Sequence, residues 1–134
     1  MASRESFQQS MEGRLPGLFR IELVAIEPER CEARMALREE FTAPNDFLHA
    51  ATVVALADSC CGMGCAVSLP EGATGFTTIE LKTNFVRTAR PGDALTCVAQ
   101  LVHGGRKTQV WDAIVRRESD DGDVALFRCT QFLI

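Results

Sequence analysis

Apolar residues recur at every second position over several stretches of this chain and run almost without a break over one other. Phe19 to Ile26 alternates apolar and polar positions, and Cys31 to Leu37 alternates again. That period puts every second side chain on one face and predicts strands. Glu27-Pro28-Glu29-Arg30 between them is turn chemistry, so the two form a hairpin, expected to have a loop longer than two residues. Gly75 to Val86, Ala94 to Val102, Thr108 to Arg117 and Val124 to Leu133 predict four more strands. Arg90-Pro91-Gly92-Asp93, Gly104-Gly105 and Asp120-Asp121-Gly122-Asp123 supply the turns between them. Near the start, Ser3 to Gly13 predicts a short amphipathic helix, closed by Gly13 and then Pro16.

The uninterrupted stretch runs from Leu48 to about Ser68 and predicts one long helix, ended by Leu69-Pro70-Glu71-Gly72. Thr42 to Phe47 is the loop that leads into it, with Asn45 or Asp46 placed to cap it. A helix apolar on all sides needs cover on more than one, here a sheet on one side and further protein on the other. The order of elements gives an α+β architecture, one helix and an antiparallel sheet packed as layers, and 134 residues suit a single domain over 1–134. An exposed outer sheet face and edge strands favour pairing with a second copy.

Composition narrows the partners. Hydrophobic residues make up 46% of the chain, which predicts a folded core. The net charge of −4 leaves no basic footprint for nucleic acid. No apolar signal core follows Met1, and the long helix is interrupted by Asp58 and reads as too short and glycine-rich to cross a membrane. A soluble cytoplasmic protein is the expectation. The 6 cysteines (Cys31, Cys60, Cys61, Cys65, Cys97 and Cys129) read mostly as small core residues. Cys60, Cys61, Cys65 and His49 match no zinc spacing, so neither a metal nor another cofactor is expected.

Asp58 is the most informative residue. It is the only charge in Leu48 to Cys65, where nearly every other residue is small or apolar. Removing a carboxylate from water is costly unless something pairs with it, and no Lys or Arg in the stretch can do so. A carboxylate in such a setting is a candidate base or nucleophile; the alternative is an Asp that bonds backbone or faces solvent.

Pro44-Asn45-Asp46-Phe47-Leu48-His49-Ala50-Ala51, followed by Leu56-Ala57-Asp58-Ser59, resembles the signature of hotdog-fold acyl-CoA thioesterases of the phenylacetic-acid-degradation type. Thr78-Ile79-Glu80-Leu81, the turn from Arg87 to Gly92, and Val102-His103-Gly104-Gly105-Arg106 are similar to that family's later elements, in order. The resemblance implies a hotdog fold, an antiparallel sheet wrapped around one long central helix. It also implies thioester hydrolysis, with coenzyme A entering only as part of the substrate. The chain departs from the family at Ala50-Ala51, where glycines are usual; alanine keeps the backbone N–H but narrows the approach. Ala43 stands where many relatives carry an amide, so Asn45 either supplies that group or only caps the helix.

Thioester hydrolysis needs a nucleophile or activated water, and donors for the oxyanion. Asp58 answers the first need, by general-base or direct attack. The Ala50 N–H, at the helix start, answers the second, because unpaired amides and the positive dipole end favour negative charge there. By resemblance His49 orients that loop or adds a donor, and Thr78 holds the attacking water; each also reads as an ordinary first-turn histidine or strand threonine. Nine positions separate His49 from Asp58, about 13.5 Å and two and a half turns. The two side chains therefore point apart. One reaction using both takes Asp58 from one chain and His49 with Ala50 from another, as a two-fold homodimer supplies twice. The family's dimers often pair further into tetramers. Arg87, Arg90, Arg106 and Lys107 are candidates for the phosphates of coenzyme A. Phe47, Leu48, Cys61 and Phe85 are candidates to line the acyl group. Two other functions remain open: an enoyl-CoA hydratase or dehydratase, disfavoured because no histidine follows Asp58 until His103, and a non-catalytic acyl-CoA binding protein.

Overall fold

The computed structural model describes residues 2–134. Its elements run α1 (Arg4–Ser10), α2 (Leu15–Leu18), β1 (Glu22–Glu27), β2 (Arg30–Ala36), a 3-10 turn (Glu39–Phe41), α3 (Ala50–Val67), β3 (Phe76–Phe85), β4 (Ala94–Gly104), β5 (Thr108–Arg117) and β6 (Asp123–Leu133). The strands form one six-stranded sheet in the order β1-β2-β4-β5-β6-β3, antiparallel at every pairing. The chain leaves β2 near one edge, crosses the sheet as α3, and returns as β3 at the other edge. This is the hotdog arrangement, a curved sheet around a central helix.

Alternation explains the layers. On β5 the residues Gln109, Trp111, Ala113 and Val115 are buried while their neighbours are only partly covered. Leu56, Ala57, Cys60, Cys61 and Cys65 of α3 pack onto that inward face. Small side chains on both layers let the helix lie close. Closest is Gly64, where a Cβ would sit 2.7 Å from the Trp111 ring. The Trp111 ring is itself held by its Nε1–H donating to Gln109 Oε1 at 2.9 Å, and Gln109 Nε2 donates to the Ser68 carbonyl at the end of α3. By length and composition α3 would suffice to cross a bilayer, contrary to the sequence expectation; it lies instead on the sheet with half its length buried.

All six cysteines are free and buried. The neighbouring Cys129 thiol and burial push the Cys61 thiol well above the ordinary cysteine range, and burial pushes Cys65 up to about 12. Buried thiols of this kind are core residues, not nucleophiles.

Three details differ from the sequence expectation. The β1–β2 hairpin turns on only Pro28 and Glu29, with Glu27 opposite Arg30. Glu29 tolerates left-handed backbone (φ 71°) there because its N–H donates to Ser68 Oγ at 2.8 Å, tying the turn to the end of α3. A second short helix, α2, not read from the sequence, precedes the first strand, which begins at Glu22 and not at Phe19; Pro16 lies in its first turn, and Gly17 allows a backbone approach in which a Cβ would be 2.4 Å from the Met11 carbonyl oxygen. The outward side of α3 is only half-covered, at Val54, Ala55, Asp58, Ser59 and Ala66.

Gly64→Ala is expected to lower stability by about 1–3 kcal/mol through overpacking against Trp111, more than the roughly 1 kcal/mol that alanine gains over glycine within a helix. A urea midpoint at or above that of the wild type would show that the ring does not hold the helix this closely.

Candidate active site

Asp58 lies in the third turn of α3, half-buried, on the side facing strand β3. It makes no ion pair among the described residues. Its partner is Thr78, whose Oγ1 is 2.8 Å from Asp58 Oδ1. Thr78 reaches it because β3 carries an irregularity between Thr78 and Glu80, where Ile79 is extra in the pairing with β6. A bulge there bends the strand and re-aims its side chains. Ahead of it Thr78 is paired with the buried Gln131; beyond it Leu81 is paired with the buried Cys129.

The start of α3 is built differently. His49 is its N-cap, and its Nδ1 accepts the Ala51 N–H at 2.9 Å. That leaves Nε2 to carry the proton of the neutral ring. The Thr52 N–H returns to the His49 carbonyl, and Thr52 Oγ1 donates to the Phe41 carbonyl at 2.9 Å, fixing the first turn to the preceding segment. The Ala50 N–H has no acceptor among the described residues, and Ala50 is exposed. An unpaired amide at the positive end of an 18-residue helix is a place for an anionic oxygen.

Asn45 does not cap α3. Its Oδ1 accepts the Phe47 N–H at 3.3 Å within the loop, and Asp46 takes left-handed backbone (φ 69°), so both shape the approach to His49 and leave the cap to the histidine.

A cavity of about 460 Å³ opens beside Ala50, lined by Phe47, Leu48, Val53, Phe85, Val86, Arg87 and Thr88. Four of the residues read as substrate-binding from sequence, Phe47, Leu48, Phe85 and Arg87, meet there. Arg87 donates from one guanidinium nitrogen to the Asp123 carbonyl, so the cation is held at the cavity's rim. Cys61 does not join them. It is 0% exposed, in the core beside Cys129, because its side of α3 faces the sheet. Arg106 and Lys107 lie at the opposite end of the molecule, around a depression with Pro70, Glu71, Gly72 and the C-terminal residues. Arg90 is exposed on the turn before β4. The four cations thus do not form one cluster within a protomer. Neither Asp58 nor Thr78 lines the Ala50 cavity.

Two polar residues of the inward face, Gln109 and Gln131, escaped the sequence reading. Each occupies an otherwise apolar phase of its strand, which is the signal that could have found it.

A half-buried carboxylate with a hydroxyl donor, a free helix-start amide and an apolar cavity are the parts of acyl-transfer chemistry. Residues 45–123 match the thioesterase superfamily, and the chain belongs to it. The protein is a thioester hydrolase. It is 27% identical to the 1,4-dihydroxy-2-naphthoyl-CoA hydrolase of Listeria monocytogenes over 110 residues, 82% of this chain and 87% of that one. Its fold superposes on a crystal structure of a mutant thioesterase PA1618 from Pseudomonas aeruginosa with a TM-score of 0.91 and 25% identity, covering 100% of this chain and 95% of that one. The PaaI protein of the phenylacetic acid degradation operon of E. coli has the same fold, with a TM-score of 0.86 at 21% identity over 98% of this chain and 93% of that one.

His49→Ala is expected to cost about 1 kcal/mol of stability by removing the cap, whereas His49→Asn, itself a good N-cap residue, restores most of it. Thermal unfolding of the two variants distinguishes them; equal melting temperatures would mean that the imidazole bond to Ala51 carries no stability.

Proposed function

We propose that the protein hydrolyses the thioester of a small, aromatic or medium-chain acyl-CoA to the free acid and coenzyme A, at sites shared between two copies of the chain. The hydrogen bond between Thr78 and Asp58 carries this reading. It holds the one charge of an otherwise apolar helix at the open edge of the sheet, where a reacting group can meet it.

In this mechanism Asp58 takes a proton from water as the water oxygen attacks the thioester carbon. The carbonyl oxygen becomes an oxyanion and accepts the Ala50 N–H. Collapse breaks the carbon–sulfur bond, and the departing thiolate takes the proton from Asp58. If Asp58 instead attacks directly, the carbonyl carbon forms a mixed anhydride with it, which water then opens; the same amide serves both routes. Neither route calls for a metal or a redox cofactor.

The two halves of the site come from different protomers. Eight residues of helix, about 12 Å, separate Ala50 from Asp58, too far for one thioester carbon. The edges of the sheet support docking of a second copy at β3. At β1 the edge is covered by α1, where Gln8 exchanges hydrogen bonds with Ile21 and Leu23 and Arg4 donates to the Leu23 carbonyl. At β3 none of the described residues covers it, and Ile79, Leu81, Phe85 and Val86 are 57%, 41%, 48% and 50% exposed beside the half-covered side of α3. An open strand edge continuous with an apolar surface invites a second copy. A two-fold axis along β3 brings each protomer's Ala50 towards its partner's Asp58.

The apolar walls at Phe47, Leu48, Phe85 and Val86 suit the acyl group, and Arg87 suits a phosphate of coenzyme A. The naphthoyl-CoA substrate in the Listeria relative's name supports an aromatic acyl group. Hydrolysis is favoured over hydration because His49 spends its Nδ1 on the helix cap, and His103 lies at the far end of β4 against Gly105.

Released thiol, measured over a panel of aryl and straight-chain acyl-CoAs, tests the activity. Asp58→Asn is expected to abolish it; an unchanged rate would overturn Asp58's role. Ala50→Pro deletes only the proposed oxyanion donor, since proline is tolerated at the first helical position. Its loss in kcat should be about 100-fold or more, with the fold intact by circular dichroism. Mixing the two inactive variants tests the shared site. Random pairing of Asp58→Asn and Ala50→Pro chains restores one sound site in each mixed dimer, about a quarter of wild-type activity. No recovery from dimers shown to have mixed would place both groups in one protomer's site.

A further inference from the structure

Phe76 and Thr78 are two apart on β3, ahead of its irregularity, so they share the inward face; each is paired with a buried residue of β6, Leu133 and Gln131. Asp58 and Gly62 are four apart on α3 and stand one turn apart on one side of the helix. The two pairs keep step. Thr78 meets Asp58, and the Phe76 ring meets Gly62, where a Cβ would lie 3.3 Å from Phe76 Cε2 and 3.5 Å from Cζ. Those atoms are the far end of the ring, so Phe76 reaches the helix with its tip, one turn beyond the candidate carboxylate. Gly62 is buried, although Asp58, Ser59 and Ala66, its neighbours one turn before and after, are only partly covered. The ring is what covers it, while Phe76 itself stays partly exposed at the open edge of the sheet. A side chain at position 62 would hold the ring off the helix.

The Ala50 cavity lies at the other end of β3, where Phe85 and Val86 line it. Antiparallel pairing of two β3 strands sets the end of one beside the start of the other. The two-fold axis that brings Ala50 towards the partner's Asp58 therefore also brings the partner's Phe76 to the open side of that cavity.

We propose that Phe76 is a specificity-determining residue that limits the length of the acyl group, its ring forming the end wall of the partner copy's Ala50 cavity. This rests on the shared-site reading given above. An acyl group that ends before the ring gains an apolar wall. A longer one must leave its last methylenes in water or displace a ring packed on the helix, and either is costly. Past the ring, the outward side of α3 continues over Ser59, Gly62 and Ala66. These small residues would leave a path for a long chain if the ring were absent.

Thiol release from octanoyl-CoA and hexadecanoyl-CoA tests this. The wild type is expected to favour octanoyl-CoA. Phe76→Ala should raise the ratio of kcat/KM for hexadecanoyl-CoA to that for octanoyl-CoA by about 10-fold or more. Phe76→Val, better suited to a strand, makes the same test if Phe76→Ala does not fold. In the Phe76→Ala background, Gly62→Leu returns a side chain to the vacated space from the helix, and should bring the ratio back to within about threefold of the wild type. A general loosening of the fold would not be reversed in this way. In the mixed dimers, Phe76→Ala should raise the ratio when carried on the Ala50→Pro chain, which supplies Asp58 to the sound site, and not when carried on the Asp58→Asn chain. A ratio that Phe76→Ala leaves unchanged, one that stays raised after Gly62→Leu, the reverse pattern in the mixed dimers, or a wild type that hydrolyses both substrates equally well overturns the proposal. Asp58→Asn, assayed alongside, separates the two ideas. If it is inactive while the ratio does not move, only the role of Phe76 fails. If it is active, the reading of Asp58 fails.

Discussion

A carboxylate on an apolar helix has to be given a hydrogen-bond donor, and in this fold the donor is Thr78. That bond couples the two elements that carry the proposed chemistry. Asp58 belongs to α3, the most buried helix, and Thr78 to β3, an edge strand with one neighbour. The extra residue at Ile79 makes the bond possible, because without it the strand would carry its side chains in a different phase from that point on. The polar contact is therefore bound to the least protected part of the sheet, and the surface around it is apolar. A charge that needs satisfying, an unpaired strand and an uncovered helix side coincide. On the proposed reading all three are met by one event, the arrival of a second copy.

The two ends of α3 show how a helix of limited intrinsic propensity is held in register. At its C-terminal end, the Ser68 carbonyl is taken by Gln109, the Ser68 hydroxyl by the hairpin turn at Glu29, and Gly64 admits the Trp111 ring. At its N-terminal end, His49 and Thr52 fasten the first turn while the Ala50 amide remains unpaired. Orphan amides are unavoidable at a helix start, and usually side chains or water satisfy them. Here the cap takes the N–H of Ala51 and leaves that of Ala50, a residue lining an apolar cavity, without an acceptor among the described residues. Rigidity at one end and an unspent donor at the other are what an oxyanion site requires of a scaffold.

Much of the architecture could be read from residue order. Alternation and turn residues together located all six strands, and the unbroken apolar run located α3 to within a residue or two at its C-terminal end. Local errors arose where tertiary contacts override local preference. Glu29 accepts left-handed backbone because Ser68 receives its amide, so the hairpin is tighter than its residues suggest. Asn45 looked like a helix cap by type and position, but the loop turns back on itself at Asp46 and the cap passes to His49. Cys61 lies one turn on from Asp58 but a step further round the helix, inside the core beside Cys129 and away from the open edge. Arg106 and Lys107 sit next to a glycine turn that resembles a ligand loop, but that turn lies beyond the far end of the helix from Ala50.

What the sequence by itself determined is the class of fold and the identity of the lone carboxylate, because both follow from hydrophobic periodicity and from the cost of placing a charge among apolar neighbours. Only the tertiary structure decided what that carboxylate touches. Thr78 is 20 residues away and Gln131 a further 53. A strand must reach the sheet edge, gain one residue at a bulge and pair with β6 before the three side chains share a row. Pairing across that distance depends on register, which no local pattern encodes. The polar row beneath Asp58 therefore becomes visible only once the sheet has closed around the helix.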